Sequence, residues 1–254
     1  MELNFDGTTA LLVFLRISGC VLFNPILGRR NIPAVFNIGL CLILTVFIYP
    51  LVPRQEIEIN SFIVFFVCAL KELALGFLIG YIIQMFLAVI VMGGETMDMQ
   101  IGLSMSKVYD PQSNVSMPLS ASLINAMFYL VFFASNAHLT LIKIFTELCV
   151  VAPYGDRAIS PDIFKNLAGL FSLALVYSIK MSFPVLAAEM ISEMAVGLIM
   201  RAVPQIDVFV LNIQLKLIIG FVVLLIIAPA MSIFLDRLIA VMFDNISGLF
   251  GALA

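Results

Sequence analysis

The chain has 254 residues, 63% of them hydrophobic and only 11% charged, against about 25% charged in ordinary soluble domains. That excludes a water-soluble globule. The net charge is −3 and no basic cluster exceeds the pair Arg29-Arg30, so nothing here neutralises a nucleic-acid backbone and no nucleic-acid partner is expected.

In chain order, apolar segments divided by Pro, Gly and charge form about six candidate spans: Thr8 to Gly28, Pro33 to Val52, Ser61 to Met92, Leu119 to Ser135, Leu167 to Ala187 and Val208 to Leu235. Most approach or exceed the ~20 residues that cross a bilayer as a helix, so the expected fold is all-α, a polytopic membrane protein. The start, Met1-Glu2-Leu3-Asn4-Phe5-Asp6, is acidic where a secretory signal is basic, and the first apolar run is expected to be a retained span. Leu139 to Val151, broken by Lys143 and Glu147, is short for a span and either extends the fourth helix or folds back as a hairpin arm. Beyond Asp236 a short amphipathic tail is expected.

Lys/Arg asymmetry barely orients these spans. With the N-terminus outside, the inner loops carry Arg29, Arg30, Lys107 and Arg201, and the outer ones Arg54, Lys143, Arg157, Lys165 and Arg237. The near tie suggests helices that do not sit in lipid in the ordinary way. Arg16, Lys71, Glu72, Lys180 and Lys216 interrupt candidate spans, and each costs ~2.5–3.5 kcal/mol at a bilayer centre. They are expected to face protein or water. Lys71 and Glu72, about 100° apart on a helix, do not satisfy each other, so both need partners elsewhere.

Glu72, Gly76, Gly80 and Gln84 recur every four residues and place two glycines mid-way along one helix face. Such a face suits close backbone approach by another helix, in this chain or in a partner. Glu189, Glu193, Gly197 and Arg201 repeat the spacing after Pro184; they form either a wet helix end or a salt-bridged subunit contact. Between the third and fourth spans, about residues 93–118, lies the least apolar stretch, with Met97, Met99, Met105 and Met117. A loop of that length is either functional or passive, and its methionines are deformable enough to plug a pore.

No catalytic constellation emerges. Glu95 with Asp98, or Glu189 with Glu193, has no histidine or nucleophile nearby in sequence. Cys20, Cys41, Cys68 and Cys149 are scattered through apolar stretches and His138 is the single histidine, so no metal, cofactor or enzymatic activity is expected.

Several segments in order carry a resemblance: Pro25-Ile26-Leu27-Gly28, Ile32-Pro33, Gly93-Gly94-Glu95, Asp98-x-Gln100-x-Gly102, Asp110-Pro111, Pro118-Leu119, Phe132-Phe133-Ala134-Ser135-Asn136-Ala137-His138 and Arg201-Ala202-Val203-Pro204-Gln205. Over nearly its whole length the chain resembles the FliR family of flagellar export-gate proteins, whose injectisome counterpart is SctT. It departs from the family where Asn136-Ala137-His138 stands in place of Gly-His-His, and where Gln214-Leu215 precedes Lys216 in place of a proline. The resemblance implies a FliP-like part over 1–160 and a FliQ-like helical hairpin over 161–254, built of long tilted hairpins. It implies assembly with FliP, FliQ and FlhB in the inner (cytoplasmic) membrane at the flagellar basal body, around a pore that exports unfolded flagellar proteins. It also makes Met105, Tyr109, Asp110, Pro111 and Met117 candidates for the pore plug. Glu72, Gly76, Gly80, Gln84, Gly93, Glu95, Asp98, Gln100, Gly102, Glu189, Glu193 and Arg201 are the candidates for helix packing or subunit contact. The competing reading is a small-solute or proton-coupled transporter with Lys71, Glu72, Glu95 and Asp98 as its polar pathway.

Overall fold

The computed structural model describes residues 6–28, 32–53, 61–103, 118–152, 154, 162–202 and 208–253. Helix α1 (Gly7–Leu22) starts at Asp6, whose carboxylate accepts hydrogen bonds from the Thr8 amide at 3.2 Å and the hydroxyls of Thr8 and Thr9 at 2.7 and 2.8 Å. This is a side-chain N-cap that satisfies an otherwise orphaned amide. The helix stops six residues short of the expected Gly28 because the Asn24 Oδ1 accepts from the amides of Ile26 and Leu27 at 2.8 and 3.4 Å, turning the chain around Pro25.

Helix α2 (Ala34–Ile48) opens behind Pro33 and tightens into a single 3-10 turn, Tyr49–Leu51. Helix α3 (Phe62–Ile101) runs nine residues beyond the expected Met92, so the loop expected from Gly93 begins only after Ile101. The reason is packing: a Cβ on Gly93 would strike the Met181 side chain, and one on Gly94 would come within 2.5 Å of the Ala121 backbone. Contact that close offsets the ~1 kcal/mol of helix propensity each glycine costs. The helix ends at Gly102, whose φ of +91° only glycine adopts without strain.

Helix α4 (Leu119–Ala134) begins behind Pro118. The segment from Leu139 belongs to a separate helix, α5 (Ala137–Val151), set off by Asn136 at φ 56°, a left-handed conformation that asparagine tolerates. Helices α6 (Asp162–Ala202) and α7 (Val208–Leu253) have 41 and 46 residues and contain Pro184 and Pro229 without ending there. The tail expected beyond Asp236 is helical: Leu235, Leu238, Ile239, Met242, Ile246 and Leu249 fall on one buried stripe.

Among the described residues, four helices are long and apolar enough to cross a membrane: α2 with its following turn, α3, α6 and α7. A fifth span results if α4 and α5 count as one broken crossing, and α1 is a shorter apolar helix. The fold is that of an all-α polytopic membrane protein, and no strand occurs among the described residues. The chain divides into two compact units, residues 1–85, 136–171 and 241–254, and residues 86–135 and 172–240. The first has Leu12, Val13, Ile17, Ile82, Ile83 and Phe145 at its core; the second has Phe86, Val89, Met97, Phe128, Phe132 and Val185.

Candidate functional site

In the first unit the α3 glycines form the seat of α1. A side chain on Gly76 would collide with the Arg16 carbonyl and the Cys20 amide, and Gly19 meets the same face, where its Cβ would lie 3.0 Å from the Gly76 Cα. One turn on, Gly80 lies under the backbone of Phe23, and Gln84 is exposed. The face read as open to either kind of helix is therefore covered over Gly76 and Gly80 by the chain's own first helix.

Close approach carries Arg16 into the interior with Glu72. Arg16 is fully buried and Glu72 is 1% exposed. The Arg16 Nε and Nη2 both reach the Glu72 Oε2 at 2.6 Å. The Nη1 donates to the carbonyls of Leu148 and Ala152 at 2.9 and 2.8 Å, and the guanidinium stacks 3.9 Å from the Tyr154 ring centroid. Those carbonyls close α5, whose end carries partial negative charge, so Arg16 caps a helix that starts some 120 residues further along the chain. The pairing satisfies Glu72; Lys71 beside it is half-buried.

In the second unit the mirror-image arrangement holds the start of α4. Asp98 is buried on α3 and accepts from the Ser120 amide at 3.2 Å and from its hydroxyl at 2.5 Å. A carboxylate thus accepts from a first-turn amide of α4, the end with partial positive charge. Gly94 against Ala121 brings the two helices close enough for this clasp, and Ile101, fully buried, presses into α7 where a Cβ on Gly220 would meet it at 2.6 Å. Asp98–Ser120 therefore ties together the two ends of segment 104–117. Met105, Tyr109, Asp110, Pro111 and Met117 lie outside the described residues. Glu95 is exposed, and Gln100 and Gly102 are half-buried.

The second polar stripe divides. Glu193 forms an ion pair with Lys216 of α7. Glu189 is fully buried with neither carboxylate oxygen hydrogen-bonded, while Arg201 is exposed in the last turn of α6, where a cation complements the helix end. The competing transporter reading needs Glu72 and Asp98 as exchangeable groups, yet each is held by its own partner. Sequence reasoning did not single out Arg16, Ser120 or Lys216 as site residues; the one signal for Arg16 and Lys216 was a charge inside an apolar run.

A sequence model of the bacterial export proteins, family 1, matches residues 8–242. The chain belongs to that family. It is 32% identical to the flagellar biosynthetic protein FliR of Bacillus subtilis over 85% of this chain and 84% of the relative. Against the FliR of Escherichia coli it is 26% identical, covering 94% and 91%. The Yop proteins translocation protein T of Yersinia pestis is 26% identical over 94% and 93%. Membership makes the chain a membrane-located component of a flagellar or type III export apparatus.

Proposed function

We propose that the chain is a subunit of the flagellar protein export gate in the cytoplasmic membrane, forming with FliP-, FliQ- and FlhB-like partners the pore through which unfolded flagellar subunits leave at the basal body. The observation that carries this is the export-family match along nearly the whole chain, shared by flagellar and translocation relatives. The FliQ-like hairpin corresponds to α6 and α7 and the FliP-like part to residues 1–160. The protein is a conduit rather than a catalyst, and the energy for export comes from elsewhere in the apparatus.

Segment 104–117 is the plug. Met105, Tyr109, Pro111 and Met117 give it weakly hydrated bulk, and a hydrophobic constriction blocks ions and water by dewetting until a substrate displaces it. The Asp98–Ser120 clasp supports this reading, because it joins α3 and α4 on either side of the segment. Deleting Ser106 to Gln112 leaves that clasp intact, so the complex should assemble and leak ions in planar bilayers; conductance equal to wild type overturns the plug assignment. Native mass spectrometry of the complex co-expressed with its genomic neighbours should show one copy of this chain with several of two smaller membrane proteins. A lone monomer or homodimer would return the transporter reading.

A further inference from the structure

Of the charges that interrupt apolar segments, Arg16, Glu72 and Lys216 are paired within the chain and Lys71 is half-buried. Lys180 is exposed on α6 and forms no ion pair among the described residues. Its setting is the antiparallel pair α6 and α7 within the second unit. Lys216 meets Glu193 near the connected ends, and the rings of Tyr177 and Phe234 meet further away, with centroids 5.9 Å apart. Lys180 follows Tyr177 by three residues, and Arg237, also exposed and without an ion pair, follows Phe234 by three. Three residues fall about 60° short of a full turn, and on antiparallel helices the two offsets carry both cations to the same side of the pair. Burial agrees. Val176, Ile179 and Phe183 flank Lys180 and are exposed, as are Ile226 and Ile233 on the side of Arg237, while Met181, Val185, Leu235 and Leu238 face the other way and are buried.

Helix side chains lean toward their own N-terminus, so Lys180 and Arg237 lean toward each other and toward the level of the ring pair. The Lys180 Nζ stands 5.3 Å from the Tyr177 ring centroid, as that lean requires. Asp236, the carboxylate next to Arg237, lies about 200° round α7 from Phe234, on the side away from α6, and does not neutralise the two cations. Between Lys216 and Asp236, α7 carries 19 residues without a charge, Leu217 to Leu235, which is about 28 Å of helix against the ~30 Å of a hydrocarbon core. Between Lys180 and Glu193 every exposed position of α6 is apolar. An exposed apolar face of bilayer length therefore has the Glu193–Lys216 ion pair at one end and Lys180 with Arg237 at the other. Tyr177 lies at that second level, where interfacial tyrosines collect, and a lysine with its stem on apolar surface and its head toward a boundary is snorkelling.

We propose that Lys180 and Arg237 hold the phosphate of an anionic phospholipid whose acyl chains run along Ile179, Phe183, Ile226 and Ile233. Two cations converging without a carboxylate call for an anion, and a phospholipid is the molecule that joins an anion to apolar chains of the length this face offers. An acidic helix of a partner subunit would supply the charge but gives no reason for the two cations to stand at the end of a bilayer-length stretch. The site rests on the membrane location of the protein and is independent of the pore and plug readings.

The test uses the complex co-expressed with its partners and placed in bilayer discs of equal parts phosphatidylglycerol and phosphatidylcholine, with the photo-crosslinker benzoylphenylalanine in place of Phe183. After illumination the intact mass of this chain should rise by one phosphatidylglycerol. Each basic residue near a membrane surface favours anionic lipid about fivefold, so phosphatidylglycerol adducts should exceed phosphatidylcholine adducts about thirtyfold. Lys180→Gln together with Arg237→Gln should bring the two adducts to parity, whereas Lys180→Arg, which keeps the cation, should retain the preference. Where the double variant does not assemble, either single Gln variant should lower the preference to about fivefold, and a single variant at the unaltered ratio overturns the proposal. So does an adduct with the mass of a partner polypeptide, the absence of any adduct, equal adducts of the two lipids with both cations present, or a preference that survives the loss of both.

Discussion

If Arg16 only balanced Glu72, replacing both with methionine would be close to neutral, because a buried ion pair and well-packed apolar residues of similar volume are nearly equivalent in stability. The structure argues otherwise, since the same guanidinium also donates to Leu148 and Ala152 and stacks on Tyr154. The Leu148 carbonyl keeps a second donor, the Ala152 amide at 3.2 Å, so the double variant orphans chiefly the Ala152 carbonyl. That costs about 1–3 kcal/mol, and the lost stacking adds about 1–2 kcal/mol in a desolvated site. Arg16→Met/Glu72→Met should therefore remain about 2–5 kcal/mol below wild type. Arg16→Met alone, which also strands a buried carboxylate, should lose a further ~3–5 kcal/mol. Arg16→Lys keeps the charge but not the planar fork and should fall between them. Thermal unfolding in detergent reads this: at ~2–4 °C per kcal/mol for a chain of this size, the double variant should melt roughly 4–20 °C below wild type. A double variant that melts with wild type would refute the capping of α5 and reduce Arg16 to one half of an ion pair.

Asp98→Ala should cost about 1–3 kcal/mol through the lost cap and, on the proposed plug reading, raise the ion leak of the assembled complex, with Asp98→Asn, which retains an acceptor, intermediate; leak equal to wild type in both refutes a role for the clasp. Gly76→Leu with Gly80→Leu forces side chains into the α1 backbone and should sharply lower the yield of complex on gel filtration; full assembly would show that α1 does not need that approach. Hydroxyl donation from Thr8 and then Thr9 holds the Asp6 carboxyl below its usual range, so the cap contributes fully above about pH 4 and is lost as pH falls through the lowered folded-state value. Asp6→Ala should cost about 1 kcal/mol at neutral pH and flatten the acid limb of a melting-temperature profile; an unaltered acid limb contradicts the assignment.

The long apolar runs made the helices legible, because bilayer-length hydrophobic segments leave the backbone few alternatives. Their ends were less so. Gly93-Gly94-Glu95 reads locally as the start of a loop, yet close contacts with Met181 and Ala121 keep α3 going to Ile101. The fifth span was expected to end at Ala187, but Pro184 removes one hydrogen bond out of many within so long a helix, and α6 continues to Ala202. The tail past Asp236 looked short because hydropathy falls there, although its apolar period persists. The four-residue spacing of Gly76 and Gly80 announced a close approach without saying which helix makes it. Arg16 was visible as an anomaly, but its partners lie 56, 132 and 136 residues away, and no local pattern encodes such a pairing.

The two buried clusters explain why a chain so poor in charge places some of it inside apolar segments. A helix end withdrawn from water leaves amides or carbonyls unpaired, and an apolar protein has few loops or waters to satisfy them. Asp98 meets the Ser120 amide in the first turn of α4 and Arg16 meets the carbonyls that close α5, each with the sign that the helix dipole favours. A carboxylate at α5 or a guanidinium at α4 would satisfy neither the donors nor the field, so the identity of each charge follows from the polarity of the helix end it meets. Both ends adjoin connecting segments, 104–117 before α4 and 155–161 after α5. Arg16 and Asp98 thus anchor the helix ends that adjoin those connections, and on the plug reading proposed above any movement of segment 104–117 must either release Asp98 from Ser120 or move both together.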